Sequence, residues 1–213
     1  MTGAINSLLV VVLLVNLFML GASRMRGLIH AAAAQGVILS FMPLLLAQRL
    51  DWIAVVLASV TIGLKGLIIP RILHKALREA KIKREVEPLI AILPTMLLGA
   101  LGTVLSLVLA AHLPVVGHPV SNLVIPVSLS TILTGFLLLT TRVKAITQVI
   151  GYLILENGIY IFGMLLLAAV PFLVELGILL DLFVGIFVVS IIIHHINQTF
   201  SSMDTRQLTA LRE

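Results

Sequence analysis

The chain alternates long apolar runs with short polar breaks. Seven runs are long enough to cross a bilayer: residues 4–22, 27–48, 52–70, 88–112, 122–140, 145–169 and 172–195. A spanning helix needs about 20 apolar residues. Hydrocarbon offers no water to the backbone, so helices are the form such runs take. They do not alternate polar with apolar, as outer-membrane strands do. The expected fold is all-α: a polytopic membrane protein of seven transmembrane helices forming one membrane domain over 1–213. The first run lacks a basic leader and a small-residue cleavage site, so it is expected to be a retained helix rather than a signal peptide.

The polar breaks predict an orientation. Arg24 and Arg26 follow the first span. Arg71, Lys75, Arg78, Lys81, Lys83 and Arg84 follow the third. Arg142 and Lys144 follow the fifth, and Arg206 and Arg212 lie in the tail. Of the 14 Lys and Arg, twelve therefore fall on one side; Arg49 falls on the other and Lys65 inside a span. The positive-inside rule puts the N-terminus out and the C-terminus in. Segment 1–87 then comprises three helices and a basic cytoplasmic stretch. Segment 88–121 is a fourth helix with its outer loop, 122–196 a three-helix unit, and 197–213 a cytoplasmic tail. The stretch RILHKALREAKIKREVE (71–87) either continues the third helix or lies on the surface as an amphipathic helix. It is a topology anchor or a docking surface for a soluble partner.

Composition narrows the function. Hydrophobic residues make up 60% and charged residues 11%, against about 45–50% and about 25% in soluble domains. The net charge of +5 resides in loops, the pattern of a membrane surface rather than of a nucleic-acid-binding face. There are no cysteines, which excludes disulfides, iron–sulfur ligation and thiol-bound nickel in this chain. No phosphate loop, zinc-ligand spacing or nucleophile elbow occurs. Pro43, Pro94 and Pro126 fall inside predicted spans, where proline often kinks a helix. The small residues of the second span, and Gly99 with Gly102 in the fourth, are expected to serve packing.

Ionisable groups at membrane depth are costly and need a reason. Glu156 lies roughly 16–18 Å along the sixth span and Asp181 roughly 13–14 Å along the antiparallel seventh, at about 1.5 Å per residue, so both approach the midplane. Tyr152, Glu156 and Tyr160 share one helix face, with Asn157 adjacent, and Gly177 and Gly185 flank Asp181. Two such carboxyls suit a proton relay; the bland alternative is that they pin helices together. Lys65 either snorkels to the interface or joins a polar track with Gln35 and His30. Glu175 is near enough to the outer face to reach water. His194 and His195 fit the negative end of the last helix, and His112 and His118 carry no assigned role.

The stretches GYLILENGIYIFGMLL (151–166), VELGILLDLFVGIFVV (174–189) and QLTALRE (207–213) resemble the hydrogenase-4 membrane component E family, most strongly over 145–213. The same part is similar to the K subunit of respiratory complex I and the C subunit of multisubunit cation/proton antiporters. The resemblance implies a membrane-arm subunit of a group 4 nickel–iron hydrogenase or formate hydrogenlyase-type complex in the cytoplasmic membrane. It implies Glu156 and Asp181 as relay carboxyls, with Asp181 standing where the K subunit has glutamate. It also implies antiporter-like and complex I H-subunit-like membrane partners, and peripheral hydrogenase-type subunits that carry the nickel–iron and iron–sulfur centres, with no cofactor in this chain. Spans one to three are weighed as a degenerate repeat of spans five to seven, with Gln35 near the place of Glu156. Two alternatives stand beside this reading: a purely structural scaffold subunit, and a component of a cation/proton antiporter.

Overall fold

The computed structural model describes residues 2–46, 52–79, 86, 88–113 and 121–163. The described part is all-helical apart from isolated bridges such as Pro88 to Arg142. In order come α1 (Thr2–Gly21), α2 (Met25–Leu46), α3 (Trp52–Gly63), a π-helical turn (Leu64–Ile68), α4 (Ile69–Glu79), α5 (Ile92–His112), α6 (Val124–Thr141) and α7 (Ala145–Gly163). Five of these helices are long and apolar enough to cross a membrane: α1, α2, α5, α6 and α7. The third predicted span is present as α3, the π turn and α4, which run on without a break. The predicted seventh span, with Asp181, Glu175, His194, His195 and the tail, lies outside the described residues. So do His118, most of the outer loop after α5, and Lys81, Lys83 and Arg84.

Helix ends follow local chemistry. Pro94 and Pro126 are the third residues of α5 and α6. Their missing N–H groups fall among those a first turn leaves unbonded, so they start helices rather than kink them. Pro43 lies deep in α2, and Pro70 follows the π turn inside the continuous helical stretch 52–79. Past the π turn, α4 carries Ile69, Leu73, Ala76 and Leu77 on its buried stripe and Arg71, Lys75 and Arg78 between them. The stretch beginning at Arg71 thus continues the third helix and packs its apolar side on α2.

The bundle is drawn together by small residues. A side chain at Gly135 would collide with the backbone of Leu155 and Gly151. One at Gly151 would sit 2.8 Å from the Leu139 nitrogen, and one at Gly158 2.6 Å from the Ile132 nitrogen. Hence α6 and α7 lie backbone to backbone, the close approach that small residues permit in lipid. Thr95, Gly99, Gly102 and Ser106 form the buried face of α5, with Gly99 and Gly102 against Leu20 and Leu133. The opposite face exposes Leu93, Leu97 and Leu101, at helical spacing, as a lipid-facing helix does.

Two apolar clusters form the interior. One joins Met19, Leu20, Met25, Leu28, Ile29, Leu73, Leu138, Ile150 and Ile154. The other joins Ile5, Leu9, Val12, Leu39, Met42, Val124, Val127 and Ile161. Each of α1, α2, α6 and α7 contributes to both, at opposite ends of its length. At the first cluster's end the basic breaks meet: Val86 N donates to Ser23 O at 2.9 Å and Leu89 N to Thr141 O at 2.8 Å. The buried Arg142 donates through Nη2 to Leu20 O at 2.8 Å. This knot fixes where α1 ends relative to α6 and α7.

Candidate functional site

Between the two apolar clusters, every one of these four helices places a polar residue. They are Asn16 on α1, Gln35 on α2, Thr131 on α6, and Glu156 with Asn157 on α7. The π turn adds Lys65, and no member of the set is more than 7% exposed.

Lys65 is there because the backbone departs from α-geometry. In the turn Leu64–Ile68, Ile69 N–H reaches the Leu64 carbonyl, five residues back rather than four. A π turn inserts one residue and re-aims the side chains around it. Gly36 completes the fit: a Cβ at that position would lie 2.8 Å from Lys65 Cβ and 2.9 Å from its Cδ. Only glycine lets the lysine stem lie against α2.

The ammonium meets Glu156 Oε1 at 3.2 Å and donates to Asn157 Oδ1 at 2.8 Å. Asn157 Nδ2 donates to Gln35 Oε1 at 3.3 Å. Gln35 Nε2 donates to Asn16 Oδ1 at 2.8 Å, and Asn16 Nδ2 to Thr131 Oγ1 at 2.8 Å. Thr131 hands its hydroxyl proton to Val127 O at 2.7 Å. The direction of this chain follows from its first member. An ammonium only donates, so Asn157 must present oxygen to Lys65 and nitrogen to Gln35, and the same choice propagates to Thr131. All three amides therefore turn oxygen toward the charge. Aligned dipoles of this kind polarise one another and stabilise a cation in a low-dielectric interior. The Tyr160 ring adds its face, 5.7 Å from Nζ, within cation–π range.

Burying two ions costs several kcal/mol each, and good geometry with further hydrogen bonds is needed to offset it. The amide chain provides those bonds. Chemically, Lys65 and Glu156 can exist as an ion pair or, after one proton passes from Nζ to the carboxyl, as a neutral amine and acid. A cavity reaches Lys65 and Asn157 from the end where the basic breaks gather, lined also by Ile29, Ala32, Ile69 and Leu73. Its volume is about 20 Å³, counted over positions a water centre can occupy. Water needs at least about 10–15 Å³ on that measure.

The residues singled out from the sequence distribute as follows. Glu156, Asn157, Lys65, Gln35 and Tyr160 converge. Lys65 turns inward to Glu156 rather than outward to the interface. Tyr152 packs at the edge of the first apolar cluster. His30 is exposed, in keeping with a place at the inner surface rather than in the polar track, and its Nε2 lies 3.3 Å from His74 Nε2. Asp181 and Glu175 are outside the described residues. Asn16 and Thr131 complete the set; the sequence signals only Asn16, the lone amide deep in the first apolar run.

Comparison with known proteins follows this geometry. The uncharacterized protein Rv0085 of Mycobacterium tuberculosis is 30% identical over 198 residues, covering 89% of this chain and 87% of that protein. The chain belongs to the Rv0085 family. The match to Rv0085 covers nearly the whole length of both chains. Hydrogenase-4 component E of Escherichia coli is 33% identical over 86 residues, 40% of each chain, as is the protein of that name from Shigella flexneri. The likeness to hydrogenase-4 component E thus extends over less than half of either protein. No family model matches the chain, and no solved structure does.

Proposed function

We propose that this Rv0085-family protein is a membrane-arm subunit of a complex I-like, hydrogenase-related redox assembly. In it, Lys65 and Glu156 form an intramembrane ion-handling pair. The observation that carries the reading is the mid-depth pair itself: two opposite charges between two apolar layers, with three amides oriented to keep the lysine charged. Ionisable groups at membrane depth are rare and point by default to function. The partial likeness to hydrogenase-4 component E supports the redox assignment.

In this reading the chain crosses the cytoplasmic membrane seven times, N-terminus out and C-terminus in, and Asp181 on the seventh span takes the next carboxyl position of the relay. The cavity is the inner access to Lys65. A proton arriving there neutralises the carboxylate, and the lysine, now without its counter-charge, is poised to release its own. Sodium could replace the proton at the carboxylate. Antiporter-like and H-subunit-like partners would continue the path, and peripheral subunits would hold the nickel–iron and iron–sulfur centres.

A second reading has its own support. The amides bond directly to one another from Lys65 to Thr131, as a scaffold would have them. The two readings part in one experiment. The tagged chain is purified with its partners, reconstituted in vesicles, and assayed for redox-driven ion uptake, as wild type and as Glu156→Gln. The proposal expects an assembled, redox-active complex whose ion uptake is lost. Unchanged uptake leaves the scaffold reading.

A further inference from the structure

His30 of α2 and His74 of α4 lie outside the polar layer, at the surface. Their Nε2 atoms are 3.3 Å apart, their ring centroids 5.0 Å apart, and the rings tilted by 52°. An end-on N–H···N hydrogen bond at this separation sets the centroids about 5.6 Å apart, since both rings then lie along one line. Two imidazoles on one tetrahedral ion, each bond about 2.0–2.1 Å, hold their nitrogens about 3.3–3.4 Å apart and their centroids about 5 Å apart. Both distances fit the second arrangement, and they equally fit a hydrogen bond bent at the acceptor.

We propose that His30 and His74 form a surface site for one divalent d-block cation of the zinc type, bridging α2 to α4. Imidazole pairs suit Zn²⁺, Cu²⁺ and Ni²⁺. Among the described residues no third His, Cys, Asp or Glu joins them, so water or a small anion completes the coordination. Arg26 and Arg78 favour an anion there and keep the site weaker than a closed one. Ile29 and Leu73, each preceding one of the histidines, line the cavity that ends at Lys65. Because α4 runs directly out of the π turn, an ion between the histidines restrains the segment that aims the lysine. The site rests on the histidine geometry alone and stands whether or not the pair at Lys65 moves ions.

The test uses the full chain in lipid nanodiscs at neutral pH. Zn²⁺ binding is followed by calorimetry, and Cu²⁺ binding by electron paramagnetic resonance, which counts coordinated nitrogens. His30→Ala and His74→Ala are compared with His30→Gln and His74→Gln, which keep side-chain bulk should alanine disturb folding. Loss of even an outer partner weakens metal sites about 10–100-fold, so each variant should lose at least about tenfold in Zn²⁺ affinity. Cu²⁺ should report two nitrogens in the wild type and one in each variant. No Zn²⁺ binding by the wild type, or affinity and nitrogen count unchanged in the variants, overturns the proposal; retained binding would then belong to His112, His118, His194 or His195.

Discussion

Removing either member of the Lys65–Glu156 pair tests whether its charges are held by each other. At 3.2 Å and an effective dielectric of about 20, the attraction is about 5 kcal/mol. Taking one partner away leaves the other charge buried and costs about 3–5 kcal/mol. Neutralisation caps the penalty. From ordinary side-chain values, deprotonating a lone lysine at pH 7 costs about 4–5 kcal/mol and protonating a lone glutamate about 3–4 kcal/mol. Glu156→Gln and Lys65→Met should therefore each lose about 3–5 kcal/mol. The double variant should recover most of it, short by about 1–3 kcal/mol because Asn157 Oδ1 has lost its donor. The assay is reversible unfolding in bicelles, analysed as a double-mutant cycle. The singles must also answer pH in opposite senses. The lone carboxyl of Lys65→Met is relieved by gaining a proton, by about 1.4 kcal/mol for each unit the pH falls. The lone ammonium of Glu156→Gln is relieved by losing one, as pH rises. Additive losses, or slopes of the same sign, would refute the pairing.

Asn16→Leu removes the amide that joins Gln35 to Thr131, and should cost about 1–3 kcal/mol by leaving the Gln35 donor unbonded; the same unfolding assay checks it. Gly151→Leu drives a side chain into the backbone of α6 and should prevent a stable bundle, seen as aggregation on gel filtration, whereas Gly3→Ala, with nothing within 4 Å of its added carbon, should be neutral. His74 is held below its ordinary value of 6.5, first by burial and then by His30, Arg26 and Arg78. The unfolded chain takes up its proton first as pH falls, so the contribution of His74 is fully present above about 6.5 and lost below. A thermal melt series should show that loss, and His74→Gln should flatten it.

The helices were legible because lipid imposes a length and a composition that residues 92–112, 124–141 and 145–163 satisfy on their own. The stretch from Arg71 reads as helical but leaves two placements open, continuation of the third helix or an amphipathic surface helix; the structure has the first over Ile69–Glu79. What could not be read was long-range. Lys65 and Glu156 are 91 residues apart, and hydrophobic periodicity does not say which faces meet. Gly63, Gly66 and Pro70 mark a weak point in the helix around Lys65, but they do not say whether the ladder kinks or takes a π turn, so the sequence leaves snorkelling and pairing level. Glu156 was matched with Asp181 because consecutive antiparallel spans are the simplest neighbours, and the lysine from an earlier helix was not foreseen as its counter-ion. Asn16 and Thr131 were passed over because a single uncharged polar residue in an apolar run is ordinary; only their shared depth with Gln35 and Asn157 makes them a layer.

The most direct measurement is the infrared difference spectrum between chemically oxidised and reduced forms of the complex purified with its partners. If Glu156 exchanges a proton during the redox cycle, a carboxylic C=O band changes in the wild type and is missing in Glu156→Gln. Superimposable spectra would contradict an ion-handling role for the pair.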